Sequence, residues 1–181
     1  MKDNYFNFYF ENIKNLINEI PKNYLYDVIN SIKKLKSKNK IFVFGNGGSS
    51  SIADHFFTDM VKNTDYKIVN FNHTGIVTCF SNDYGYEKWV HKSILKYGKK
   101  GDLIILISAS GESRNIINAA KVSKKIAFSN IITLTGFNKK NSVSKLGSIN
   151  IWVNSRNYNC IENIHQIFLL SIIDYLSKKK I

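Results

Sequence analysis

Five short, largely apolar runs recur along the chain, each followed by room for a helix, and this alternation restricts the fold more than any other feature. The runs are Ile41–Phe44, Lys67–Phe71, Leu103–Ile107, Ile131–Leu134 and Ile149–Val153. They are too short to be helices, and the continuous ones suit strands buried on both faces of a parallel sheet. The spacing predicts helices from about Ser49 to Lys62, over Thr74–Phe80 and Tyr86–Tyr97, over Asn115–Lys124 and Ser142–Leu146, and over Ile161–Leu176. Strands separated by helices in this way predict an α/β chain: a three-layer α/β/α sandwich with a five-stranded parallel sheet and right-handed crossovers.

The first forty residues read differently. Phe6, Phe10, Ile13, Ile17 and Ile20 follow one another at spacings of three and four, as one face of an amphipathic helix does. Pro21, the only proline, ends that helix and starts a second, whose apolar face is Tyr24, Val28, Ile29, Ile32 and Leu35. No linker or low-complexity stretch divides the chain. One domain over residues 1–181 is expected, with a helical arm (1–38) preceding the α/β core (40–181).

A net charge of +13 raises the question of a polyanionic partner. All but two of the 26 basic residues are lysines, the exceptions being Arg114 and Arg156, and the lysines are scattered, some in pairs (Lys33-Lys34, Lys99-Lys100, Lys124-Lys125, Lys139-Lys140), with one run at Lys178-Lys179-Lys180. Dedicated readers of bases and phosphates lean on the arginine fork, so a solvated lysine coat is expected and nucleic acid is not an expected partner. Cys79 and Cys160 lie in no paired motif, which fits a reducing compartment. Asp3 and Glu11 interrupt the opening where a signal peptide needs an apolar stretch. The longest apolar runs fall far short of the ~20 residues that span a bilayer. A soluble, cytoplasmic protein without membrane partners is expected.

In a sheet of this kind, ligands bind beyond the carboxyl ends of the strands, where helices present free N–H groups. Two turns there are rich in hydroxyls. Gly45-Asn46-Gly47-Gly48-Ser49-Ser50-Ser51 follows the first strand, and Ser108-Ala109-Ser110-Gly111-Glu112-Ser113 follows the third. Neither is a dinucleotide fingerprint, since Ser50 stands where the third glycine belongs, and neither holds the Gly-Lys-Ser/Thr of a P-loop. No nucleotide cofactor is expected; two such turns suit one monophosphate.

These turns, with His55, Asn82-Asp83-Tyr84-Gly85-Tyr86, Leu134-Thr135-Gly136 and Ile161-Glu162-Asn163-Ile164-His165, fall in an order that resembles the sugar isomerase (SIS) domain proteins, and among them the phosphoheptose isomerases. The resemblance runs from about Lys40 onward and extends to the helical arm. It implies a flavodoxin-like sheet and interconversion of sedoheptulose 7-phosphate with a heptose 7-phosphate, a step toward the heptoses of surface polysaccharides. It also implies a homo-oligomer, typically a tetramer, and a zinc ion.

Carried onto this chain, the resemblance places Asn46, Gly47, Gly48, Ser49, Asp83, Ser108, Ala109, Ser110, Ser113, Asn159 and Glu162 around the sugar phosphate. It assigns His55, Asp59 and Glu162 to the metal, and catalysis to Asp59 and Glu162 with His165 nearby, although the plainer reading of His165, one turn from Glu162, is a hydrogen-bonded core or interface histidine. The chain departs from the family at Asp59 (a Glu in the family), Glu162 (Gln), Asn159 (commonly Asp) and Leu170, which replaces the second catalytic histidine. Leucine neither transfers a proton nor binds metal. Two functions follow: an isomerase in which Glu162 or His165 takes over the missing histidine's role, or a sugar-phosphate-binding regulatory module that has lost turnover.

Overall fold

The computed structural model describes residues 4–178; Asp3, Lys179 and Lys180 lie outside them. Two helices, α1 (Tyr5–Glu19) and α2 (Asn23–Lys33), form the arm. The core then runs β1 (Ile41–Phe44), α3 (Gly48–Asn63), β2 (Ile68–Val69), α4 (Thr74–Tyr84), α5 (Trp89–Tyr97), β3 (Leu103–Ser108), α6 (Arg114–Ile126), β4 (Asn130–Thr135), β5 (Ile149–Trp152) and α7 (Tyr158–Leu176). The five strands form one parallel sheet in the order β2-β1-β3-β4-β5.

Alternate residues of the strands feed two cores, as the period of a strand requires. Ile41, Val43, Leu103, Ile105 and Ile107 point to one face, where they meet Ile52, Phe56 and Met60 of α3, Ile161, Ile164 and Phe168 of α7, and Ile29 and Ile32 of the arm. Phe42, Phe44, Ile104 and Leu106 point to the other, against Trp89 and Ile94 of α5 and Ile116 and Ala119 of α6. Residues 41–44 and 103–107 are fully buried, which is why they read as unbroken apolar runs.

The start of this central pair is fixed by one carboxylate. Asp102, fully buried just before β3, accepts from the backbone N–H of Lys40 (2.9 Å) and Lys99 (2.9 Å) and from the Asn39 amide (3.0 Å), with the Lys40 ammonium at 3.6 Å. It ties the entry of β1 to that of β3, and the two strands run in register from Ile41–Leu103 to Phe44–Leu106.

Two expectations need correction. Ser142–Leu146 is a single 3₁₀ turn over Ser144–Leu146, because Asn141 spends its side chain on local backbone partners, accepting from Ser144 N–H (2.8 Å) and donating to the carbonyl of Asn138 (2.8 Å). The second strand shrinks from Lys67–Phe71 to two half-buried residues at the sheet edge, where, among the described residues, β1 alone pairs with it.

The strand order reverses between β1 and β3. The chain leaves β1 toward β2 on one side and returns to β3 on the other, so the helices following these neighbours diverge and leave a crevice at their carboxyl ends.

Candidate active site

The two hydroxyl-rich turns lie side by side in that crevice. Asn46 in the first turn and Asn115 at the head of α6 exchange reciprocal amide hydrogen bonds of 2.9 and 2.8 Å, and the Tyr86 hydroxyl donates to Asn46 Oδ1 (3.0 Å). A cavity of about 430 Å³ opens beside this joint, lined by Asn46, Tyr86, Glu87, Ser113, Arg114 and Asn115.

Within the second turn the hydroxyls divide their work. Ser108 is buried and its Oγ donates to Ser113 Oγ (3.1 Å), which leaves the Ser113 proton free for a ligand. Ser110 Oγ accepts from the Glu112 N–H (3.2 Å) and keeps its own proton. The first N–H groups of α6 have no helical acceptors, as at any helix start, and add partial positive charge. Gly111 holds the bend at φ +69°, with Asn141 packed where a Cβ would lie. Glu112 turns away and accepts from Ser142, whose hydroxyl and N–H hold its carboxyl below the usual range. Ala109 is buried and its carbonyl accepts from Gly136 N–H (2.8 Å), so Ala109 shapes the turn through its backbone.

The first turn serves a different group. Ser49 donates to Glu162 Oε1 (3.0 Å), and Gly48 lies so close to the Glu162 carboxylate that a side chain there would collide with it. The Glu162 carboxylate thus sits at the N-terminus of α3, where the helix dipole favours negative charge. Ser49, expected on the phosphate, is instead drawn to Glu162. Gly47 provides the bend at φ +54°.

Further along α3 and α7, His55 Nε2 lies 3.6 Å from Asp59 Oδ2, one turn away, and His55 Nδ1 faces the Gln166 amide at 3.3 Å. A Gln166 N–H donated to Nδ1 leaves the proton on Nε2, facing Asp59. Sequence reasoning missed Gln166. The signal was its place four residues after Glu162, on the face of α7 that meets α3. Leu170, four residues further, packs half-buried on the core.

Three assigned residues are not drawn into the crevice. His165 is fully buried on α7, its Nε2 at 3.3 Å from the carbonyl of Thr135, and burial pulls its pKa down to about 4. It is a neutral core histidine, which corrects the catalytic assignment. Asp83 ends α4 exposed, holding the Asn82 amide (3.1 Å), and Asn159 is exposed on the first turn of α7.

His165 has a consequence for stability. The unfolded chain protonates it near pH 6.5 and the folded chain only near 4, so the unfolded state binds the extra proton between these values and stability falls as pH drops across the window. Urea denaturation of a His165→Gln variant is expected to lose on the order of 3 kcal/mol less than the parent between pH 7 and 4. Equal losses would show that His165 is not shielded.

The expected zinc set of His55, Asp59 and Glu162 does not form in this conformation. His55 and Asp59 are paired, Glu162 is held at Ser49, and no group of three or more His, Cys, Asp or Glu side chains is placed to hold a metal among the described residues. Catalytic zinc takes three protein ligands. Elemental analysis of protein purified without chelators is expected to find well under one zinc per chain; a full equivalent would mean that Glu162 leaves Ser49 to complete the set.

The sequence pattern of the SIS domain matches residues 8–136, and the parallel sheet with hydroxyl-lined turns at its switch point agrees with that class of protein. The phosphoheptose isomerase of Aliarcobacter butzleri is 35% identical over 155 residues, covering 80% of each chain, and that of Coxiella burnetii is 30% identical, covering 81% of this chain and 77% of its own. The chain belongs to the phosphoheptose isomerase family. The structure of the Neisseria gonorrhoeae phosphoheptose isomerase superimposes with a TM-score of 0.83 at 25% identity, over 92% of this chain and 91% of that one. The Francisella tularensis phosphoheptose isomerase shares the fold, with a TM-score of 0.86 at 22% identity over 98% and 96% of the two chains.

Proposed function

We propose that the chain interconverts sedoheptulose 7-phosphate and a heptose 7-phosphate, as the names of its relatives suggest. The observation that carries this is the Asn46–Asn115 joint, which sets an anion-binding turn beside a helix bearing the His55–Asp59 pair. The phosphate is held by the Ser110 and Ser113 hydroxyls and the first N–H groups of α6. The carbon chain then extends toward α3 and α7.

Aldose–ketose isomerisation moves one proton between C1 and C2 and another between the two oxygens. Asp59 removes the proton from C1 of the ketose and returns it at C2 of the enediol. Glu162 takes the role of the missing histidine and relays the hydroxyl proton from O1 to O2. His55, held between Asp59 and Gln166, fixes the orientation of the base. No step requires Leu170 or His165.

Self-association is part of this proposal. Tyr5, Phe6, Phe8 and Phe10 of α1 are 64–68% exposed, an aromatic surface suited to burial in a homo-oligomer, with a tetramer the expected form. A cytoplasmic location and a role in supplying heptose for surface polysaccharides complete it; no helix among the described residues is long and apolar enough to cross a membrane.

The test is direct. Purified protein incubated with sedoheptulose 7-phosphate and followed by NMR is expected to develop the C1 proton signal of the aldose. Tight binding without conversion would instead favour the regulatory module that Leu170 suggests, and neither binding nor conversion would overturn both.

A further inference from the structure

We propose that Arg114 is the charge-recognising residue of this site, the side chain that makes binding depend on a phosphorylated rather than a neutral sugar. This rests on the phosphosugar reading above and adds to it a residue outside the set the family resemblance supplies. The two turns, 45–51 and 108–113, contain hydroxyls and backbone donors but no lysine or arginine. Carboxylates lie near them instead: Glu162 against Ser49, Glu87 in the wall of the cavity, and Glu112 within the second turn, where it accepts from Ser142. Those carboxylates oppose a dianionic phosphate seated on neutral donors and a helix N-terminus, and a cation beside it offsets the repulsion.

Arg114 is the cation that lines that cavity, next in sequence to Ser113 and sharing the wall with Asn46. It is the first residue of α6, so its side chain leaves from the same turn whose N–H groups lack helical acceptors. It is exposed, and among the described residues its guanidinium makes no ion pair or hydrogen bond, not even with Glu87. An unpaired guanidinium beside serine donors is free to close a fork on two phosphate oxygens. The neighbouring lysines of the surface coat lack that fork, and the cavity wall includes none of them.

The experiment compares the parent with Arg114→Gln and Arg114→Lys. Because Arg114 is exposed, both variants are expected to melt with the parent. Arg114→Gln is expected to raise KM for sedoheptulose 7-phosphate by about 10- to 100-fold, the range of a charge-assisted hydrogen-bond pair, with kcat within about threefold. The inhibition constant of inorganic phosphate is expected to rise by the same factor, and Arg114→Lys to recover part of it. A structural role would not move the phosphate constant and KM together while sparing kcat.

Phosphate binding, measured by calorimetry, separates this proposal from the isomerase assignment. If the parent binds phosphate, Arg114→Gln does not, and no conversion is seen, Arg114 stands and the assignment fails. If Arg114→Gln binds phosphate as the parent does, or if the parent binds none at millimolar concentration, Arg114 does not have this role.

Discussion

Replacing Asp59 by Asn is expected to lower kcat for sedoheptulose 7-phosphate by about 10²- to 10⁴-fold, the usual contribution of a positioned acid–base group. The amide keeps the shape of the carboxylate and removes its basicity. The His55 contact at 3.6 Å survives in altered form, so the loss falls on proton transfer rather than on the packing of α3. Asp59 is about one-third exposed and KM is expected to change little, since its carboxylate is paired with His55 on its own helix and the proposed phosphate donors lie on the second turn. Steady-state kinetics on the purified variant, with a thermal melt to show that it folds, decide the matter. Activity within threefold of the parent would remove Asp59 as the base and leave Glu162 as the remaining carboxylate on α7 that faces α3.

Asp102→Ala is expected to be the most destabilising single change in the region that carries the site. The carboxylate is fully buried and accepts three hydrogen bonds, two of them from backbone N–H groups, with the Lys40 ammonium beside it. Truncation leaves those donors buried without acceptors, and removing one partner of such a buried cluster costs about 3–5 kcal/mol. For a chain of this length that corresponds to a fall in Tm on the order of 10 °C. Urea unfolding of the variant measures it; a loss below about 1 kcal/mol would mean that water or a shifted loop replaces the carboxylate. Activity is expected to weaken as well, because Asp102 fixes the strand pair whose far ends carry both turns.

The layers of the fold were legible because burial on both faces forces long apolar runs. Ile41–Phe44 appears as a strand with the bounds read from sequence, and the third strand gains one residue, Ser108. The second strand was overestimated, since β propensity in Lys67–Phe71 says nothing about how much partner an edge strand has. The predicted helix at Ser142–Leu146 failed because local side-chain bonds from Asn141 replaced the helical ones.

At the site, residue types were legible and directions were not. Ser49 and Ser108 carry the expected hydroxyls, but one is turned to Glu162 and the other to Ser113. For His165 the core reading holds and the catalytic one does not, since it falls four residues after Ile161 and three before Phe168 in a row buried throughout. A family resemblance carries no such orientation. The side-chain choice of Glu162, which moves it from the expected metal set to the head of α3, depends on the bare backbone of Gly48 and emerges only in three dimensions.

The joint between Asn46 and Asn115 is built from two carboxamides, which neither gain nor lose protons in water near neutrality. The spacing between the two halves of the crevice is therefore indifferent to acidity. An acid limb in the rate profile would report the ionisation of groups on α3, on α7 or on the substrate itself, and mild acidification followed by neutralisation should return full turnover without a slow recovery phase.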